Sequence, residues 1–200
     1  GEDMAEFRVI DRDGRDTLGE GLFWSEREGA LYWTDILAPA LNRLSLASGD
    51  VQRWAMPEMI GWVLEREQGG LIAGFRSGFA ELSLDPVETR PIADPEPDQP
   101  KNRMNDAKAD PWGNIWAGTM PVAIDRPSGG LYRLSPDLSV RQFDTGYTVA
   151  NGPAISPDGR RLFHTDSPAR TIYRFELSQD GVSGREVFLR FEDDWGVPDG

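Results

Sequence analysis

The chain has 200 residues, enough for one domain with a sizeable core, and a formal net charge of −13. Cysteine is absent, which excludes disulfides, thiolate catalysis and Cys-based zinc sites. The acidic excess argues against nucleic acid or an anionic membrane surface as partner, since both attract Lys and Arg.

Seven Trp, 22 Gly and 15 Pro with little helical periodicity predict short strands and many turns. Four segments follow one grammar. The first runs EGLFWSEREGALYWTD from Glu20, then LNRLSL from Leu41 and GDVQRWAM from Gly49. The second runs GWVLEREQGGLIAGF from Gly61, then FAELSL from Phe79 and ETRPI from Glu88. The third runs NDAKADPWGNIWAGTM from Asn105, then LYRLSP from Leu131 and VRQFD from Val140. The fourth runs NGPAISPDGRRLFHTD from Asn151, then IYRFEL from Ile172 and REVFL from Arg185.

Each segment holds four short apolar stretches separated by turn residues. A Gly-containing turn joins the first two, at Gly29, Gly69-Gly70, Gly113 and Gly159; two of these turns are primed by Asp110-Pro111 and Ser156-Pro157. The second stretch alternates, as in Leu31-Tyr32-Trp33-Thr34 and Leu162-Phe163-His164-Thr165, which suits a half-buried strand. Four antiparallel strands repeated every 40-odd residues are the pattern of β-propeller blades, each of which buries its faces against its neighbours. Trp24, Trp33, Phe75, Trp116, Phe163 and Tyr173 are expected to fill the layers between blades.

Two stretches interrupt the rhythm. Residues 91–102 (PIADPEPDQPKN), Pro-rich and acidic, read as a surface loop rather than a strand. Residues 120–130 (MPVAIDRPSGG) read as a long surface connection between the second and third strands of their unit, with bordering a binding mouth as the alternative.

Aligned on the turn glycine, the residues opening each first strand are Glu20, Gly61, Asn105 and Asn151. Asp199 opens what reads as a fifth unit, and the spacings are 41, 44, 46 and 48 residues. In a propeller the first strands line the axis, so these positions converge on one rim. Glu20, Asn105, Asn151 and Asp199 would bring oxygen-bearing side chains together from four blades, while Gly61 leaves a gap. Two carboxylates with carboxamide oxygens suit a hard cation such as Ca²⁺, Mg²⁺ or Mn²⁺. A single Asn or Asp before a strand ordinarily caps its own turn, and spacing alone leaves both readings open. The lone His164, inside an alternating strand, reads as packing or surface rather than as a ligand.

At these residues the chain resembles the family of senescence marker protein (regucalcin), gluconolactonase and luciferin-regenerating enzyme. The motifs are Gly19-Glu20-Gly21, Arg103-Met104-Asn105-Asp106-Ala107-Lys108 leading to Gly118-Thr119-Met120, Asn151-Gly152-Pro153 and Pro198-Asp199-Gly200. The resemblance implies an all-β, six-bladed β-propeller with one divalent metal ion (Ca²⁺, Zn²⁺, Mn²⁺, Mg²⁺ or Fe²⁺) at the axis. It implies Glu20, Asn151 and Asp199 as metal ligands, Asp199 also as general base, and Arg103 and Asn105 as substrate-binding residues. The implied activity is hydrolysis of a sugar lactone to the aldonic acid. The alternatives are a non-catalytic calcium-binding propeller and a related metal-dependent esterase or phosphotriesterase.

Members that prefer sugar lactones can carry an acidic residue after Gly-Thr-Met; here Pro121-Val122-Ala123 stands there, which leaves the choice of lactone open. Six blades of this size need roughly 250–300 residues. Residues 1–200 are therefore expected to form a single propeller domain, incomplete at the C-terminus, with about four blades and the start of a fifth. Glu6–Ile10 is the candidate outer strand of the sixth. No apolar run approaches the ~18 residues of a membrane span, and Gly1–Phe7 shows no signal peptide, so a cytoplasmic location is expected.

Overall fold

Short alternating stretches closed by glycine turns favour strands over helices. The computed structural model, which describes residues 19–192, is accordingly built of strands alone. They form four antiparallel sheets of four strands. The first sheet is β1 (Gly19–Ser25), β2 (Ala30–Asp35), β3 (Ala40–Ser45) and β4 (Val51–Ala55). The second is β5 (Ile60–Glu65), β6 (Leu71–Phe75), β7 (Gly78–Ser83) and β8 (Glu88–Ala93). The third is β9 (Asn102–Ala109), β10 (Ile115–Pro121), β11 (Gly129–Leu134) and β12 (Val140–Tyr147). The fourth is β13 (Ala150–Ile155), β14 (Arg161–Asp166), β15 (Thr171–Ser178) and β16 (Gly181–Arg190).

Within each sheet the strands lie in sequence order, so the first strand is always an edge. These first strands touch one another: β1 meets β5, β5 meets β9 and β9 meets β13. β1 also reaches β9, two sheets away, which requires the first strands to converge on a shared hub. The arrangement is propeller-like, as the repeat predicts. Asp199 and the candidate strand Glu6–Ile10 lie outside the described residues.

Three apolar layers join the sheets. Tyr32, Leu41 and Phe75 lie between the first and second, Trp62, Met104 and Leu134 between the second and third, and Trp116, Leu162 and Phe175 between the third and fourth. Of the expected packing aromatics, Trp33, Phe75 and Trp116 are buried, and Phe163 and Tyr173 are half-buried. Trp24 departs from the expectation and is 44% exposed. It pairs with Leu31, whereas its neighbour Phe23 pairs with Tyr32 and packs on the second sheet. Alternation therefore sends Trp24 to the opposite face, where no described sheet packs.

The Pro-rich stretch also departs from its expected form. Residues 91–93 belong to β8, with Pro91 opposite Ala80 and Ala93 opposite Phe79. β8 is the outermost strand of its sheet, where a missing N–H on the open side breaks no ladder. The connection proper is 94–101, and it is not merely a surface loop, because Glu96 is buried.

Candidate functional site

Every first strand changes register around the position that the repeat alignment singles out. The shifts fall between Glu20 and Phe23 in β1, Ile60 and Trp62 in β5, Met104 and Ala107 in β9, and Asn151 and Ala154 in β13. A bulge of this kind re-aims a side chain out of the pleat. Gly21 and Gly152 lie within these shifts with φ of +59° and +87°, a conformation that other residues adopt only at a cost. Sequence expectations rested on turn spacing; the bulge is the local device that turns that spacing toward the hub.

Gly61, which offers no side-chain oxygen, has a packing role: a Cβ there would stand 2.8 Å from the carbonyl oxygens of Met104 and Asn105. The main chain of β9 occupies that space, and the Gly61 carbonyl accepts a hydrogen bond from Thr34 Oγ1 at 3.0 Å. Glycine at this position lets two first strands touch backbone to backbone.

Asn105 and Asn151 come together across two sheets. The Asn105 amide nitrogen donates to the Ala150 carbonyl, and more weakly to Asn151 Oδ1 at 3.4 Å. Asn105 Oδ1 accepts from the Arg103 guanidinium at 3.2 Å, and the same nitrogen donates to the Met104 carbonyl at 3.0 Å. Asn105 is 3% exposed, so its full set of partners matters: a buried amide left unpaired costs about 1–3 kcal/mol. The Asn151 amide nitrogen donates to Ser167 Oγ, which fixes the plane of its carboxamide. Ser167 is a site residue that the sequence reading missed; it follows β14 in a turn and carries no repeat signature.

Glu20 is placed by its backbone, opposite Thr34 of β2, whose hydroxyl reaches Gly61 at the hub. Asp199 lies outside the described residues. The structure thus brings Arg103, Asn105 and Asn151 into one hydrogen-bonded group beside the first strand that bears Glu20. Among the described residues no three His, Cys, Asp or Glu side chains are grouped closely enough to hold a metal ion. The carboxamides at the hub are oxygen donors of the hard-cation kind.

His164 behaves as the sequence suggests. It is fully buried on Tyr147, with ring centroids 4.3 Å apart, and neither ring nitrogen has a hydrogen-bond partner among the described residues. Burial pushes its pKa down to about 3, so it stays neutral. A Cβ at Gly118 would lie 2.7 Å from its Nε2, so the glycine makes room for the imidazole. Nearby, Asp166 accepts from the Thr148 and Val149 main-chain nitrogens at 3.3 Å, and burial raises its pKa.

The family model for the SMP-30/gluconolactonase/LRE-like region matches residues 18–200. The chain is 38% identical over 185 residues to a 6-deoxy-6-sulfogluconolactonase of Pseudomonas putida, covering 92% of this chain and 64% of that protein. It is 34% identical over 201 residues to a pentonolactonase of Haloferax volcanii, covering 98% and 66%. Among solved structures, a luciferin-regenerating enzyme superposes with a TM-score of 0.86 at 25% identity, covering 94% of this chain and 66% of that one. A calcium-binding protein, regucalcin, from Agrobacterium tumefaciens gives 0.81 at 26% identity, covering 86% and 59%. The chain therefore spans just under two thirds of the length of these relatives.

Proposed function

The chain belongs to the SMP-30/gluconolactonase/LRE-like family, and on that premise we propose that the full-length protein is a six-bladed propeller that opens a sugar lactone to its aldonic acid. In this reading Glu20, Asn151 and Asp199 hold one divalent cation at the hub. When bound, the cation polarises the lactone carbonyl and stabilises the charge developing on its oxygen. The observation that carries the reading is the meeting of Asn105 and Asn151, 46 positions apart, beside Arg103 at the ends of two first strands.

Each residue then has a task of its own. Asn151, its amide held by Ser167, keeps its oxygen aimed at the hub. Arg103 orients the substrate oxygens, and its partners Met104 and Asn105 restrict where the guanidinium sits. Asn105, buried, couples Arg103 to the fourth sheet through Ala150. Asp199 takes the proton of the attacking water and passes it to the ring oxygen as the C–O bond breaks, which leaves a free carboxylic acid and hydroxyl.

The test is acid release from gluconolactone and a pentonolactone by full-length protein that has been stripped with chelator and then resupplied with Ca²⁺, Zn²⁺, Mn²⁺, Mg²⁺ or Fe²⁺. A metal-restored rate on lactones is expected. Metal binding without any rate above buffer would instead favour a calcium-binding role, a reading supported by the regucalcin relatives and the calcium-binding structural neighbour. A rate on aryl esters or phosphotriesters alone would point to a different hydrolase.

A further inference from the structure

The connection 94–101 is fastened on both sides. Glu96, 7% exposed, accepts from Tyr132 Oη at 2.6 Å and from Asn102 Nδ2 at 3.2 Å. Asn102 in turn donates to the Ser128 carbonyl at 2.9 Å and accepts from Ser128 Oγ at 2.7 Å. One carboxylate thereby joins the 94–101 connection to the beginning of β9 and to β11, and through Asn102 to the 122–128 connection. On the other side, the Arg76 guanidinium donates to the Pro100 carbonyl at 3.3 Å, tying the connection to the turn between β6 and β7.

Between these two fastenings lies a cavity of about 330 Å³ that opens beside Arg103. It is lined by Arg76 and Arg103, by Glu58, Asp94 and Glu96, and by the buried Phe75 and Met104. Groups of both charge signs disfavour a strongly charged guest, and polar side chains beside apolar ones suit a molecule with hydroxyls on its edges and C–H groups on its face. The volume falls within the range of about 300–1,000 Å³ usual for small-ligand sites.

We propose that Glu96 is a positioning residue that latches connection 94–101 to the mouth and makes it the wall of a subsite for the polyol end of the lactone. The proposal rests on the lactonase reading for its substrate, while the latch itself stands on the geometry. Asn102 immediately precedes Arg103, so the latch also fixes the backbone from which Arg103 projects.

The experiment uses full-length protein with Glu96→Ala, Glu96→Gln and Arg76→Ala, measuring kcat and KM on a hexonolactone and a pentonolactone. It also follows protease cleavage within 94–101 without substrate. Glu96→Ala should raise KM about tenfold while kcat stays within about threefold, and should open 94–101 to cleavage. Glu96→Gln keeps the acceptor oxygen and should restore both. Arg76→Ala, an exposed change that leaves the fold intact, should raise KM for the hexonolactone more than for the shorter pentonolactone. Unchanged KM and unchanged cleavage in Glu96→Ala would overturn the proposal, as would equal effects of Glu96→Ala and Glu96→Gln. If wild-type protein hydrolyses no lactone, the substrate assignment fails with the lactonase reading, and the cleavage pattern alone decides the latch.

Discussion

The two ends of β9 handle polar groups differently. At the end away from the hub, the Asp110 carboxylate accepts from the Trp112 and Asn114 main-chain nitrogens at 2.9 Å, from Asn114 Nδ2 at 2.8 Å and from Trp116 Nε1 at 2.9 Å. All of these partners lie within six residues. At the hub end, Asn105 reaches Ala150 and Asn151, 45 and 46 positions away. The same contrast recurs elsewhere: Asp137 and Asp158 close their own turns, whereas Thr34 bonds Gly61 and Tyr132 bonds Glu96. Far from the hub Asp110, Asp137 and Asp158 each close one hairpin, and bonds that cross between sheets there include those of Arg27 to the Arg66 and Glu67 carbonyls and of Arg133 to the Asp180 carbonyl. At the hub the short, buried Asn105 joins sheets directly, and a site assembled from several sheets requires that.

Breaking each end in turn sharpens this contrast. The largest effect is expected from Asn151→Ala, which should lower metal-dependent lactone hydrolysis by about 100-fold or more with little change in Tm, as read by steady-state kinetics and calorimetry. Asp110→Ala should do the reverse. It leaves the Trp116 indole and the Asn114 main chain unpaired in a buried turn, which costs about 2 kcal/mol in urea denaturation, with kcat unchanged. Gly61→Ala should blur the distinction, because its Cβ would press on the β9 backbone. A loss of about 1–2 kcal/mol together with weaker metal affinity by calorimetric titration is expected.

The smallest effect concerns pH. His164 titrates with a folded pKa of about 3 against an ordinary 6.5. Between these values the unfolded chain binds the extra proton, so the stability that comes from keeping the ring neutral is complete above 6.5 and is lost as pH falls. Wild type should lose about 1 kcal/mol relative to His164→Phe between pH 6.5 and 5.5, measured by paired denaturant melts.

Much of the fold was legible because its signals are local. Alternating strands and glycine turns recur within each unit, and all four units adopt the expected four strands. Trp24 was misplaced because alternation assigns residues to faces without saying which face another sheet will cover. Pro91 read as a loop residue because a proline is excluded only where its N–H is needed, and an outermost strand does not need it. The hub pair Asn105 and Asn151 was legible through register, since equivalent positions of repeated units share a rim. Ser167 and Glu96 were not legible. Their partners come from turns or from distant strands, such as Tyr132, 36 positions from Glu96, and no periodicity marks them.

The central claim is that residues opening successive first strands share one ion. Crystals of full-length protein grown with Mn²⁺, with data collected at the manganese absorption edge, test it directly. The account predicts one anomalous peak at the hub, coordinated by oxygens of Glu20, Asn151 and Asp199 and adjacent to Asn105. A peak elsewhere, or these three side chains held apart with no ion between them, would contradict it.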